Sequence, residues 1–466
     1  MKTGDGRRKQ DFGPRSSVFQ LHHMKLWKKD IESSAKVERF TVGRDLEFDI
    51  FLAPFDVQGS LAHTAMLESI GLLTAAEKEA IHTELKAIYR TMESGEFNMM
   101  DDVEDIHSQI EFMLTEKLGD VGKKIHSGRS RNDQVLVDLK LFMRSEIKEI
   151  VEGTKALFDR MTALSETYKS ILIPGYTHMQ VAMPSSFGLW FGAYAEGLVD
   201  DLNALHSAYQ MVNKNPLGSG AGFGSSFPLN RQMTTDLLGF EAMHHNVVYA
   251  MMSRGKAEKQ LANGMASIAA TLGKFSMDVC LYMGQDFGFL TFPDELTTGS
   301  SIMPHKKNPD VFELIRGKCN RIVALPNDIA MLTANLPVGY HREMQLLKEL
   351  LFPALEDLKA CLEMAEYMLQ HIKIKKDLID QDKYNYLFTV EEVNRQVLSG
   401  VPFREAYIQV GKDVNAGEFK ADRKVEHNHE GSIGNLMTDA IRSSMEKQLN
   451  SFHFGYWEKR IKNLVE

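Results

Sequence analysis

Between Thr298 and Glu313 the chain reads TGSSIMPHKKNPDVFE, where Ser300, Ser301, His305, Lys306, Lys307 and Asn308 crowd between glycine and proline. Gly299 admits unusual backbone dihedrals, and Pro304 and Pro309 interrupt regular structure. Hydroxyls, an amide and basic groups so concentrated suit anion chemistry better than core packing, so the segment is expected to be a mobile, cationic active-site lid. A solvated, lysine-rich surface loop is the plainer alternative.

Three further segments carry reactive side chains. After His126, SGRSRNDQ puts Ser127, Ser130, Asn132 and Asp133 just ahead of a long helical pattern, where hydroxyls, amides and carboxylates cap a first turn. Capping does not require Arg129 and Arg131; two guanidinium groups beside a helix N-terminus form a natural carboxylate site through bidentate hydrogen bonds and the helix dipole. PGYTHMQ sets Thr177, His178 and Gln180 between two helices, and His178 is either a structural hydrogen-bonder or a proton carrier near neutrality. LPVGYHREMQLLKE supplies Tyr340, Gln345 and Lys348, the last two one helical turn apart, which taken alone is a polar face.

Two motifs invite other chemistry. GSGAGFG, Gly218 to Gly224, suggests a nucleotide loop, but it misses the dinucleotide register and follows a helix-like segment, so a close-packed turn is expected. Glu104-x-x-His107 and Glu241-x-x-His244 each match the ligand pair of di-iron bundles, a pattern that chance also supplies in a chain with 16 histidines; no metal is expected.

The elements that must position these groups are helical. Leu139, Met143, Ile147, Ile150, Leu157, Met161 and Leu164 fall at three-and-four spacing and predict one long helix. Leu351, Leu355, Leu358, Leu362 and Ala365 form a second such stripe. The run from Ala257 through Met283 is apolar on more than one side and belongs inside a bundle. Alternating strand patterns are scarce, and breakers cluster at 127–133, 174–184, 215–228, 292–309 and 336–339. The expectation is an all-α chain: a disordered extension over 1–23, an N-terminal helical domain over 24–128, a long central bundle over 129–378 and a C-terminal helical domain over 379–466. Met24, which opens MKLWKK, is a candidate start.

Length and composition bound the function. With 466 residues, 43% hydrophobic and 25% charged, the chain can bury a large core. A net charge of −9 argues against a general nucleic-acid binder, so an anionic substrate must be met by a local cationic pocket. Cys280, Cys319 and Cys361 are too few and too scattered for a disulfide framework or a cysteine zinc site, which fits a reducing cytoplasm. No apolar run reaches the length of a membrane span.

Taken together, GSSIMPHKKNP (Gly299 to Pro309), SGRSRNDQ, GYTHMQ and the Tyr340, Gln345, Lys348 arrangement resemble the argininosuccinate lyase branch of the fumarase/aspartase superfamily. The likeness runs from Met24 to about Phe454 and includes VPFREAY at Val401 and HEGSIGN at His429. It implies a three-domain, all-α homotetramer that shares a central bundle, draws each active site from three chains, and splits argininosuccinate reversibly into arginine and fumarate without metal or organic cofactor. It further implies Ser300 as general base, His178 in the acid/base machinery with Glu313 orienting it, and Lys306 and Asn308 on the substrate. Ser130, Arg131, Asn132, Thr177, Gln180, Tyr340, Gln345 and Lys348 fall among the binding positions. Departures are LWKKDI (Leu26 to Ile31) for LWGGRF, Gly43 for a substrate-binding serine, and Tyr249 where an aspartate is common. Another lyase acting on an N-substituted succinate and a structural, crystallin-like protein are the competing functions.

Overall fold

The computed structural model describes residues 35–100 and 103–466. The expected 1–23 extension, the candidate start at Met24 and the LWKKDI departure lie outside the described residues. Helices account for nearly all of the regular structure. The chain opens with α1 (Ala35–Val42) and α2 (Asp45–Asp49), then α3 (Ala53–Ser69), α4 (Ala75–Glu93), α5 (Ile106–Leu118) and the short α6 (Asp120–Lys123). The bundle follows: α7 (Arg131–Thr167), α8 (Phe187–Val212), the short α9 (Arg231–Leu237) and α10 (Val247–Met252), α11 (Lys256–Met283), α12 (Asp310–Leu332) and α13 (Leu347–Gln370). Last come α14 (Thr389–Leu398), α15 (Phe403–Ala416), α16 (Thr438–Asn450) and α17 (Phe454–Val465).

The stripes read from the sequence are the buried faces of these helices. Leu139, Met143, Ile147, Ile150, Leu157 and Met161 are buried along α7, which runs for 37 residues or about 55 Å. Leu351, Leu355, Leu358, Leu362 and Ala365 are all buried on α13. Together with α8, α11 and α12 they enclose one continuous apolar core. In the single chain α11 keeps one exposed row, Lys256, Lys259, Asn263, Ala270, Lys274 and Met277, which is mostly polar, so the helix has one wet face in addition to its buried ones.

A second core joins α3, α4 and α5 to Val137 and Leu141 of α7, and receives Ile461 and Leu464 from α17. The end of the chain thus packs on its beginning. Arg144 fastens this junction: buried and, among the described residues, without a carboxylate partner, it lies 4.8 Å from the Phe240 ring and 4.5 Å from the Trp457 ring, and donates to Leu238 O at 2.9 Å and Gly239 O at 3.2 Å. A third, small cluster holds Val393, Ala406, Val410 and Phe419 between α14 and α15.

Strands are short and paired in twos: β1 (Leu172–Thr177) with β2 (Gln180–Ser186), β3 (Lys214–Asn215) with β4 (Ala242–Met243), β5 (Leu290–Thr291) with β8 (Lys373–Ile374), and β6 (Thr298–Gly299) with β7 (Lys307–Asn308). The breaker cluster at 174–184 is therefore a β-hairpin. Its alternation was hidden by Pro174, Gly175 and Pro184, and the register shifts between Pro174 and Tyr176.

Candidate active site

The N-terminus of α7 is fixed by its own side chains. Ser130 Oγ accepts from Asn132 N at 3.3 Å, and Asp133 Oδ1 accepts from Ser130 N at 2.9 Å, the reciprocal pattern of a capping box. Asp133 Oδ2 accepts from Gly218 N at 3.0 Å and Gly220 N at 2.9 Å. The glycine-rich loop is thus an anion nest filled from within by Asp133, as the close-packed reading expected. Gly218 and Gly220 both take positive φ, and a Cβ on Gly220 would meet Gly224 O at 2.9 Å. Burial raises the Asp133 pKa to about 6 in spite of these donors.

Beside this end lies a cavity of about 210 Å³ lined by Arg131, Asn132, Tyr340, Gln345 and Lys348, and also by Asp45, Asp49, Asp105, His107 and Arg254. Five of the expected binding residues, far apart in sequence, meet here. Arg131 is held by Asp105 Oδ2 at 3.2 Å from Nε, Ser108 Oγ at 3.1 Å from Nη2 and Gln134 Oε1 at 3.1 Å from Nη1. Lys348 Nζ lies 2.6 Å from Asp49 Oδ1 and pairs with Asp45. Burial works against the Lys348 charge, but Asp49 and Asp45 more than offset it and raise its pKa. Gln345 donates to Thr41 O at 3.2 Å and Val42 O at 2.9 Å, which brings the chain before Gly43 to the cavity. Gln345 sits in the 3-10 helix Arg342–Leu346, ahead of α13, so it and Lys348 do not share one regular helix.

Arg129 does not join Arg131 as expected. It is buried, donates to Ser60 Oγ at 3.0 Å, and takes its charge balance from Asp56, Asp133 and Asp138 in the interior. Sequence reasoning missed Asp45, Asp49, Asp105 and Arg254. Acidic side chains on a short helix and a lone arginine give no signal until folding brings them to one cavity. His107 was noticed as half of a Glu-x-x-His pair; in the fold it faces Asp56 and Asp138 instead, and His244 packs on the Tyr249 ring at 5.4 Å. Asp56, His107 and Asp138, with ligand atoms within 4.8 Å of one another, are the described residues best placed to hold a metal ion.

His178 and Met179 form the turn of the β1–β2 hairpin with φ of 53° and 59°. Positive φ at both central residues is the geometry of a type I′ turn and thrusts the imidazole outward. Thr177, His178 and Gln180 are all exposed.

The expected lid is a hairpin with a pinned base and an exposed tip. Thr298 pairs with Asn308 and Gly299 with Lys307; Asn308 Nδ2 donates to Thr298 Oγ1 at 3.3 Å, the Thr298 hydroxyl donates to Asp310, and Lys307 pairs with Asp294. Ser300 Oγ accepts from Ile302 N at 3.3 Å and Met303 N at 3.1 Å. Lys306 is exposed at the tip, and Glu313 is exposed on the first turn of α12. Among the described residues, neither Ser300 nor His178 contacts Glu313 or the cavity beside Arg131.

A lyase family profile matches residues 29–324. The chain is 58% identical to the argininosuccinate lyase of Phocaeicola vulgatus over 441 residues, 95% of this chain and 99% of that one. It belongs to the argininosuccinate lyase family. That of Thermotoga neapolitana is 37% identical over 388 residues, 83% of this chain and 98% of its own. Among solved structures, EDDS lyase in complex with formate superposes with a TM-score of 0.71 at 19% identity, covering 93% of this chain and 94% of that one. Class II fumarase from Schistosoma mansoni gives a TM-score of 0.66 at 15% identity, covering 88% and 95%. The family therefore has its expected mainly helical fold here, with the long bundle at its centre.

Proposed function

We propose that this protein is an argininosuccinate lyase that splits argininosuccinate reversibly into arginine and fumarate, as in arginine biosynthesis. The observation that carries the reading is the 58% identity to an enzyme of that name over 95% of the chain. Removing the weakly acidic proton beside a carboxylate builds negative charge on that carboxylate, so stabilising a carbanion-like intermediate is the central task. Lys306 and Arg131 supply positive charge to the two ends of the succinyl group.

Ser300 is the general base. An alkoxide survives only among converging donors, and the two backbone N–H groups already aimed at Ser300 Oγ, joined by Lys306 on closure, provide them. His178, oriented by Glu313, protonates the leaving guanidino nitrogen. Asn308, Thr177, Gln180, Ser130, Asn132, Tyr340, Gln345 and Lys348 bind substrate. No metal or organic cofactor takes part.

The working unit is a homotetramer in which the exposed Ser300 and His178 of some chains complete the Arg131 cavity of another. The exposed Leu314, Val323 and Met331 on α12 support such a shared bundle. The free thiols of Cys280, Cys319 and Cys361 support a cytoplasmic setting. Among the described residues no helix is long and apolar enough to cross a membrane. Fumarate release from argininosuccinate, but not from adenylosuccinate or aspartate, is the expected assay result. Preference for another N-substituted succinate, or no release at all, would replace this reading with one of its rivals.

A further inference from the structure

Arg131 is held from behind by a buried relay. Its Nη1 donates to Gln134 Oε1 at 3.1 Å, and Gln134 Nε2 donates to Asp56 Oδ1 at 2.7 Å. The same Asp56 oxygen lies 2.8 Å from His107 Nδ1, and Asp138 Oδ2 lies 3.4 Å from that nitrogen. Asp56 comes from α3, His107 from α5, and Gln134 and Asp138 from α7, and all four are buried.

The chemistry of these groups gives the relay one direction. A carboxylate only accepts and a guanidinium only donates, so the Gln134 amide satisfies both only with its NH2 toward Asp56 and its oxygen toward Arg131. Turned over, both ends would meet like partners.

A guanidinium has five N–H groups. Ser108 and Gln134 take one each from Nη2 and Nη1, while Asp105 Oδ2 stands 3.2 Å from Nε as an ion pair without an aligned hydrogen bond, so one N–H remains on each Nη atom. That pair is the fork that grips a carboxylate through two parallel hydrogen bonds. Without Gln134, Nη1 would be free to turn, and the fork would no longer be set before substrate arrives.

We propose that Gln134, backed by Asp56 and His107, is a positioning residue that presets the Arg131 guanidinium for a carboxylate of the substrate. The inference rests on the reading of Arg131 as a substrate-binding group in an argininosuccinate lyase. Gln134→Met keeps the side-chain volume and removes both hydrogen bonds. It should raise KM for argininosuccinate about tenfold while kcat changes by less than about threefold. In an Arg131→Ala background, where turnover is lost, the same substitution should leave argininosuccinate affinity measured by calorimetry unchanged, because its effect passes through the guanidinium. Gln134→Glu still accepts from Arg131 but cannot donate to Asp56, so it should raise KM as much as Gln134→Met does. It carries the comparison if Gln134→Met fails to assemble.

Full additivity with Arg131→Ala, a loss confined to kcat, or wild-type KM in Gln134→Glu would overturn the relay while leaving the lyase reading intact. A wild-type protein that leaves argininosuccinate uncleaved would overturn both.

Discussion

If Ser300 is the base, as proposed, its own loop prepares it. Its Oγ already accepts two backbone N–H bonds, at 3.3 and 3.1 Å, in the open hairpin tip. Such donors stabilise an alkoxide more than a hydroxyl, because hydrogen bonds to an ion are about twice as strong. Ser300→Ala should keep wild-type far-UV circular dichroism and melting, since the tip is exposed, yet lose turnover by about 10²–10⁴-fold. Near-normal fumarate release would remove Ser300 from proton abstraction. The neighbouring lysines divide their duties: Lys307 pairs with Asp294 at the hairpin base, whereas Lys306 is exposed at the tip. Lys306→Ala should therefore lower kcat by about 10²-fold or more, and Lys307→Ala by much less. Equal losses in steady-state assays would mean that charge, not placement, is what the loop contributes.

At the scale of an element, α7 does two jobs. Its first turn carries Arg131 and Asn132 to the cavity with Gln134 buried behind them, held there by the Ser130–Asp133 capping box and the glycine nest. Its middle is core, which also buries the charged side chains of Asp138, Lys140 and Arg144, and Lys140 is a case to test. That side chain is fully buried, its Nζ donates to Met211 O at 3.2 Å, and burial brings its pKa from 10.5 down to about 8, with Glu258 offsetting part of the cost. A native pKa below the unfolded one means that the unfolded chain binds the extra proton between pH 8 and 10.5, so this residue makes stability rise with pH across that window. Lys140→Met should then be more stable than the parent near neutrality by about 1–3 kcal/mol. Its advantage should fade as the pH is raised through that window. Denaturant midpoints measured across it would reveal an advantage independent of pH, which would reject the buried-cation account.

Among the described residues the molecule divides its apolar surface into three clusters, and these cut across the expected division at 24–128, 129–378 and 379–466: the largest takes Phe48 and Leu52 from the first segment and Tyr384, Met445 and Phe452 from the last. The last helix crosses that division, since α17 packs on the N-terminal cluster. One chain leaves Leu314 66% and Met331 70% exposed on α12, and keeps the lid serine and hairpin histidine apart from the Arg131 cavity. The proposed homotetramer would resolve both at once. Light scattering should give about four times 52.7 kDa. Ser300→Ala and Arg131→Ala should each be inactive alone, and after dissociation and random reassembly together about a quarter of the sites should carry both intact residues. No recovery in the mixture would place both residues of a site on the same chain.

The sequence alone determined the elements and the chemical inventory. Three-and-four spacing is local, so the stripes of α7 and α13 could be read residue by residue, and so could the cap at Ser130 and the composition of the 298–313 loop. The conjunction of those loops was specific enough to suggest the family before any geometry was known. What the tertiary structure decided was proximity. Arg129 and Arg131 stand two positions apart, yet one faces core carboxylates and the other faces the cavity, because adjacent side chains at a helix start point in different directions. Asp49, Asp105 and Arg254 joined the site only when α2, α5 and the chain before α11 converged on it. The Asp56–Gln134 contact spans 78 residues, and no local pattern encodes it. The β1–β2 hairpin was masked for the same reason: a pairing energy shared between two short segments leaves little trace in either one.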